Sequence, residues 1–301
     1  MAVDAFPVRR AFERLLGPVL MPYLLHLRPL EWPIMSGHFL LGGLLAMGWS
    51  LPGGATGLGW FLFVVLTNGG TLAINSAFDQ DEGDIGYLKA PPKPPRYLLH
   101  LSVAMLGATA ALGFLLPPIF AWSNLACVAM SVLYSVPPAR LKARAGWDLL
   151  INMAGFGALT PMAGWGLSGR PLPPWFLGVA LGFALLFGAL YPATQIYQIE
   201  EDRARGDRTL VIRFGETASL VAAIALALAA HACFAWSLGS AGRSDRLPWL
   251  FPSLAAWLLV LVPWSLRWRR FTQAQQEAGM YWTLGAWAVT DLSLLTLFWP
   301  G

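Results

Sequence analysis

The chain has 301 residues, 56% of them hydrophobic and only 12% charged, with a mean hydropathy of +0.56 and a net charge of +4. A soluble globular domain carries about 25% charged residues, so this composition excludes an ordinary water-soluble fold and makes lipid the main solvent. Cys127 and Cys233 both sit in apolar runs, which excludes a disulfide framework and a metal-knuckle spacing; both read as packing residues.

In chain order, residues 1–32 carry Arg9, Arg10 and Arg14 ahead of an apolar stretch broken by Pro18 and Pro22. No small-residue cleavage site follows, so this part reads as a retained interfacial segment rather than a signal peptide. A membrane span needs about 20 mostly apolar residues. Nine stretches qualify, near 33–51, 58–80, 97–116, 118–135, 147–167, 175–199, 217–239, 248–267 and 276–298. With the N-terminus inside, 17 of the 20 Lys and Arg residues fall on the cytoplasmic side, and only Arg170, Arg243 and Arg246 fall outside. The expectation is one all-α membrane domain over 1–301, with about nine transmembrane helices around a central cavity and the C-terminus outside. Its setting is a prokaryotic cell (inner) membrane, with membrane lipids as neighbours and no nucleic acid as a partner. The longest hydrophilic stretches, 79–96 and 200–216, follow the second and sixth spans on the cytoplasmic side and are expected to carry the chemistry.

The second span ends in a polar stripe. Asn68, Thr71, Asn75 and Asp79 recur at spacings of three and four, so they share one helical face. Such groups are costly against lipid tails and must face the bundle interior or a water-filled cavity. The sixth span repeats the device with Gln195, Gln198 and Asp202. Asp79, Asp81, Glu82 and Asp84 crowd four carboxylates into six residues, which repel one another unless cations neutralise them. Hard divalent cations such as magnesium prefer oxygen ligands together with substrate phosphates. These acids, facing Asp202 with Glu200 or Glu201, suit a diphosphate bridged by Mg2+. Lys89, Lys93, Arg140, Lys142, Arg144, Arg203 and Arg208 then supply contacts to phosphate oxygens.

These residues resemble the UbiA superfamily of intramembrane prenyltransferases, whose hallmarks are an Asn-Asp-x-x-Asp-x-x-x-Asp motif after helix two and an Asp-x-x-x-Asp motif after helix six. Asn75 and Asp79 match the first motif's Asn and middle Asp, and Asp202 matches the second Asp of the later one. The stretch from Asp202 through Gly206 to Thr209 and Leu210 is similar to the family's Asp-x-x-x-Gly-x-x-Thr-Leu ending, and Tyr134 through Arg140 to Lys142 is similar to its basic loop after helix four. Ser76, Gly83 and Gln198 depart from the pattern, each standing where the family usually has Asp. Asp81, Glu82 or Asp84, and Glu201, are the substitutes nearby, so the chain resembles a divergent branch.

The resemblance implies Mg2+-dependent transfer of an isoprenyl group from an isoprenyl diphosphate to a lipophilic or aromatic acceptor, through an allylic carbocation. Asn75, Asp79, Asp202 and Lys142 are the implied catalytic residues. Asn75, Asp79, Asp81, Glu82, Asp84, Gln198, Glu201 and Asp202 are the implied metal set, and Lys89, Arg140, Lys142, Arg144, Arg203 and Arg208 the diphosphate set. Asn68, Thr71, Phe78, Tyr134, Asp148, Asn152, Tyr191, Thr194, Gln195 and Tyr197 are expected on the substrate cavity. Phe78, Tyr191, Tyr197, Trp147 or Trp165 would hold the cation by cation–π attraction. His38 and Asp291, polar groups in apolar runs, are read as structurally paired. Two rivals remain: a terpene cyclase of the same fold, and a transporter, whose ion site normally lies near the membrane midplane.

Overall fold

The computed structural model describes residues 7–79, 91–144, 146–206 and 209–299, without the side chains of residues 7–13, 201, 204 and 205. Among these residues every regular element is a helix. In chain order they are α1 (Pro7–His26), α2 (Trp32–Met47), α3 (Gly53–Asp79), α4 (Leu98–Leu115) and α5 (Pro118–Ser135), followed by α6, which runs through Trp147–Asn152, Met153–Leu159 and Thr160–Gly166. Then come α7 (Pro174–Ile196), the short α8 (Ile199–Arg205) and α9 (Leu210–Phe214), and the long α10 (Glu216–Ser240), α11 (Phe251–Arg267) and α12 (Gln273–Leu297).

Six helical segments among the described residues are long and apolar enough to cross a membrane: α3, α4, α5, α7, α10 and the stretch Ser244–Arg270 that contains α11. The other three expected spans coincide with helices that fall short of this measure. α2 has 16 residues, α6 is diluted by Asp148, Asn152, Thr160 and Pro161, and α12 by Thr283, Thr290 and Asp291. Among the described residues six segments thus meet this measure, and helices cover all nine stretches that the sequence reading marks.

Small residues set how closely the helices approach, as expected where lipid gives no hydrophobic drive between them. A Cβ on Gly42 of α2 would lie 1.8 Å from the Pro161 carbonyl oxygen of α6, and one on Gly164 of α6 would lie 1.8 Å from that of Phe39. The α2–α6 seam is therefore backbone against backbone. Buried hydrogen bonds tie other helices: His231 Nε2 of α10 lies 2.8 Å from Ser253 Oγ of α11, which lies 2.8 Å from Thr290 Oγ1 of α12.

The three arginines set apart by the charge count close helix C-termini. Arg170 donates to the Ala46 carbonyl at the end of α2 (2.7 Å), while Arg243 and Arg246 donate to Leu297 at the end of α12 (3.1 and 2.7 Å). Last-turn carbonyls lack intrahelical donors, and a cation there also complements the helix dipole. α1 bends at Gly17 (φ 65°), just ahead of Pro18, and leaves Leu15, Val19 and Leu20 exposed.

Two local departures from α-helical winding position the cavity. Phe61–Asn68 of α3 and Met153–Leu159 of α6 are π-helical. Thr67 Oγ1 donates to the Leu62 carbonyl (3.0 Å) and Thr160 Oγ1 to that of Gly155 (2.9 Å), each five residues back, so hydroxyls satisfy the widened turns.

Candidate active site

A cavity of about 430 Å3 is lined by α2, α3, α5, α6, α7 and α12, with α8 contributing at one end. That end gathers Asn75, Asp79, Lys142, Gln198 and Asp202. The opposite end is lined by His38, Phe63, Phe156 and Trp287. The volume lies within the range of about 300–1,000 Å3 usual for small-molecule sites.

α3 continues as regular helix from Gly69 to Asp79, so the stripe read from the sequence stays in register. Asn68, Thr71, Asn75 and Asp79 all line the cavity. Lys142, in the loop between α5 and α6, donates to Asp79 and also to Asn75 Oδ1 at 2.7 Å. Ser135 Oγ donates to the same oxygen at 3.4 Å, and Arg140 lies 3.5 Å from Asp79. Arg140 adopts φ 33°, a left-handed conformation uncommon for a non-glycine residue. One carboxylate therefore meets two cations at the cavity mouth.

The second stripe is built differently. α7 ends at Ile196, and Asp202 belongs to α8. Gln198 and Asp202 line the cavity, and Asp202 is buried. Gln195 also lines it but ties structure together: its Nε2 donates to Asp148 Oδ2 at 3.3 Å, and its Oε1 accepts from the Val211 backbone N–H at 3.3 Å. Asp148 is fully buried away from the cavity wall, accepting also from the Gly146 N–H at 2.8 Å, so it braces α7 rather than facing the cavity. Asn152 lines the cavity and donates to the Asp148 carbonyl at 2.8 Å.

Tyr134, Tyr191, Thr194 and Tyr197 line the cavity as expected, with the Tyr134 and Tyr191 hydroxyls 3.5 Å apart. Phe78, Trp147 and Trp165 do not: Trp147 is exposed, and Trp165 packs against Trp175 and Phe176 because α6 turns it away from the lumen. Arg144 is exposed and off the cavity wall, and Arg203 pairs with the exposed Glu200 at 2.9 Å. Asp81, Glu82, Asp84, Lys89 and Arg208 lie outside the described residues, as does the side chain of Glu201. Ser76, at the family's Asp position, is buried off the cavity wall.

His38 and Asp291 pair at 3.1 Å, as the sequence reading has it, and His38 also reaches the Gly157 carbonyl (3.2 Å) while lining the cavity. Cys127, read as packing alone, also lines it. The lining residues not singled out in the sequence include Phe156, Phe187 and Trp287, which lie in apolar runs without a distinguishing signal. Arg28 and Glu31 did carry a signal, opposite charges directly ahead of the first apolar run. They pair at 3.4 Å in the turn before α2, where burial raises the Glu31 carboxyl above its ordinary range against the pull of Arg28.

The fold is thus an all-helical bundle around a cavity that acids and cations both line. A family model resolves the class: the chain belongs to the UbiA prenyltransferase family, matched over residues 32–285. It is similar in structure to a UbiA homolog from Archaeoglobus fulgidus bound to GPP and Mg2+, with a TM-score of 0.72 at 18% identity over 91% of this chain and 99% of that one. The same homolog bound to DMAPP and Mg2+ gives 0.67 at 18% identity over 90% and 99%. A structure of digeranylgeranylglyceryl phosphate synthase gives 0.67 at 16% identity over 93% and 98%. At such identities the likeness establishes the fold. A search of curated protein sequences finds no match.

Proposed function

We propose that this protein transfers an isoprenyl group from an isoprenyl diphosphate to a lipophilic or aromatic acceptor inside the membrane, with Mg2+ as cofactor. The observation that carries the reading is that Asp79 of α3 and Asp202 of α8, far apart in sequence, line one cavity, with Lys142 on Asp79. Asp79, Asn75, Asp202 and Gln198 offer hard oxygen donors, the type magnesium takes together with phosphate oxygens. Asp81, Glu82, Asp84 and Glu201 are proposed to complete the set. Bound there, Mg2+ supplies neutralisation of the charge that builds on a departing diphosphate.

The chain's own residues do the rest. Lys142 and Arg140 exchange part of their contact with Asp79 for phosphate oxygens, and Lys89 and Arg208 are proposed to join them. The allylic C1–oxygen bond breaks, with its electron pair leaving on diphosphate. A nucleophilic carbon of the acceptor then bonds to C1 and loses a proton, which the released diphosphate accepts. Tyr134, Tyr191, Phe187 and Trp287 exclude water and present aromatic faces to the cation. The Asp79 end is proposed to face the cytoplasm of a prokaryotic inner membrane, a reading supported by the 17 of 20 cationic residues that the sequence topology assigns to that side.

The test uses purified protein in lipid nanodiscs with labelled geranyl, farnesyl or geranylgeranyl diphosphate, Mg2+ and total membrane lipids. Label should pass to a lipid product as diphosphate is released. Diphosphate release without added lipids, giving a hydrocarbon or alcohol, would favour the cyclase, and no consumption of any donor would overturn the reading.

A further inference from the structure

The cavity is two-sided at mid-depth. Phe187, Leu190, Leu284 and Trp287 of α7 and α12 form an apolar, aromatic wall. Across from it, α3 and α5 present Thr67, Asn68, Thr71 and Ser131. A hydrocarbon chain needs only the first wall.

Most polar groups of the second wall are already paired. Thr67 Oγ1 lies 2.7 Å from Asn124 Oδ1, Thr71 donates to the Thr67 carbonyl at 2.6 Å, and Ser131 donates to that of Cys127 at 2.7 Å. Asn68 is the exception. It is 4% exposed, and neither its Nδ2 nor its Oδ1 has a hydrogen-bond partner among the described residues. Leaving a buried amide unpaired costs about 1–3 kcal/mol, and in a lipid-embedded bundle no bulk water relieves it. Asn68 sits where the π-helical turn of α3 ends, a winding often found at functional sites. Leu27 packs against the following Gly69, which brings Arg28 to the same cavity, and the buried Arg28 Nε is also without a partner. Arg28 is already paired with Glu31 at 3.4 Å, so part of its guanidinium is engaged within the chain.

We propose that Asn68 is a specificity residue for the acceptor: its amide hydrogen-bonds a neutral hydroxyl or carbonyl oxygen, so that the isoprenyl tail lies on the aromatic wall and an oxygen-bearing lipophile on the α3 wall. This rests on the prenyl-transfer reading for its donor and adds the class of the acceptor. Asn68 lies 11 residues before Asp79, about 16 Å at 1.5 Å per residue, so an acceptor held by its oxygen there extends toward the Asp79 end to bring its nucleophilic carbon to C1.

The experiment measures binding of two probes that differ by one hydroxyl, 4-nonylphenol and nonylbenzene, to protein holding Mg2+ and geranyl S-thiolodiphosphate. The wild-type protein should prefer the phenol by about ten-fold, the value of one buried hydrogen bond. Asn68→Leu, which keeps the volume and removes the amide, should erase that preference while the thiolodiphosphate still binds. Asn68→Ala gives the same readout should the leucine variant fail to fold. An equal preference in the wild type and the variants, or none in the wild type, overturns the proposal. Failure of the thiolodiphosphate to bind, with an Asn68-dependent preference intact, would sink the prenyl-transfer reading and support the oxygen-recognising role.

Discussion

The two polar stripes that meet at the cavity mouth have similar spacing in the sequence and different construction in the fold. On α3 the stripe is one unbroken helical face, and its terminal carboxylate is matched by Lys142 and Arg140. On the other side the helix stops after Ile196, and the stripe is divided between α7 and α8. Gln195 lines the cavity but is held as a brace between Asp148 and the start of α9, while Gln198 and Asp202 line the cavity beyond it. A shared period thus yields a continuous row of cavity-lining residues only where the helix persists. Where it breaks, members of the same row separate into structure and site.

The largest effect should come from the acid on each stripe. Asp79→Ala and Asp202→Ala are each expected to lower turnover by at least about 100-fold, the scale of removing a preorganised electrostatic group. Thermal unfolding in detergent should stay near wild type. Near-normal Mg2+-dependent turnover in only one of them would show that the stripes do not serve one site.

Next comes the cation that distinguishes the first stripe. Lys142→Ala should weaken binding of a thiolodiphosphate analogue by about 10-fold, and Arg140→Ala by less, since Arg140 is 44% exposed and solvent screens it. Equal losses measured by titration would contradict the assignment of the inner contact to Lys142.

A smaller change tests the brace. Gln195→Leu leaves the buried Asp148 carboxylate and the Val211 N–H each short of a partner, so it should cost about 1–3 kcal/mol of stability in a reversible unfolding assay. Loss of activity without any loss of stability would return Gln195 to the substrate-cavity set.

The smallest effect lies outside both stripes, at Glu31. Its carboxyl is raised in the folded protein, so folding favours the protonated form. That contribution is present at low pH and is lost as pH rises from the ordinary carboxylate range through the raised value. Glu31→Gln should flatten this part of the stability–pH curve, read from unfolding midpoints across pH. An unchanged slope would separate Glu31 from the effect.

The contrast also explains what could be read from the sequence. The helical membrane class, the α3 row and the basic loop were legible because burial in lipid punishes stray polar groups, so each one carries information. Asp148 is buried off the cavity wall, where the sequence could not place it, because periodicity gives a face but not which neighbour that face meets. Phe156, Phe187 and Trp287 were invisible, since an aromatic ring in an apolar helix looks the same on the lumen side as on the lipid side. Arg170, Arg243 and Arg246 broke the charge pattern because they serve helix ends.

The most direct measurement is a structure of the protein with Mn2+ replacing Mg2+ and a bound isoprenyl thiolodiphosphate. Anomalous density for the metal should lie between Asp79 and Asp202, with oxygens of both carboxylates and of the diphosphate around it and Lys142 on the phosphate. Metal and diphosphate bound elsewhere, or held by one stripe with the other acid turned away, would contradict the shared site.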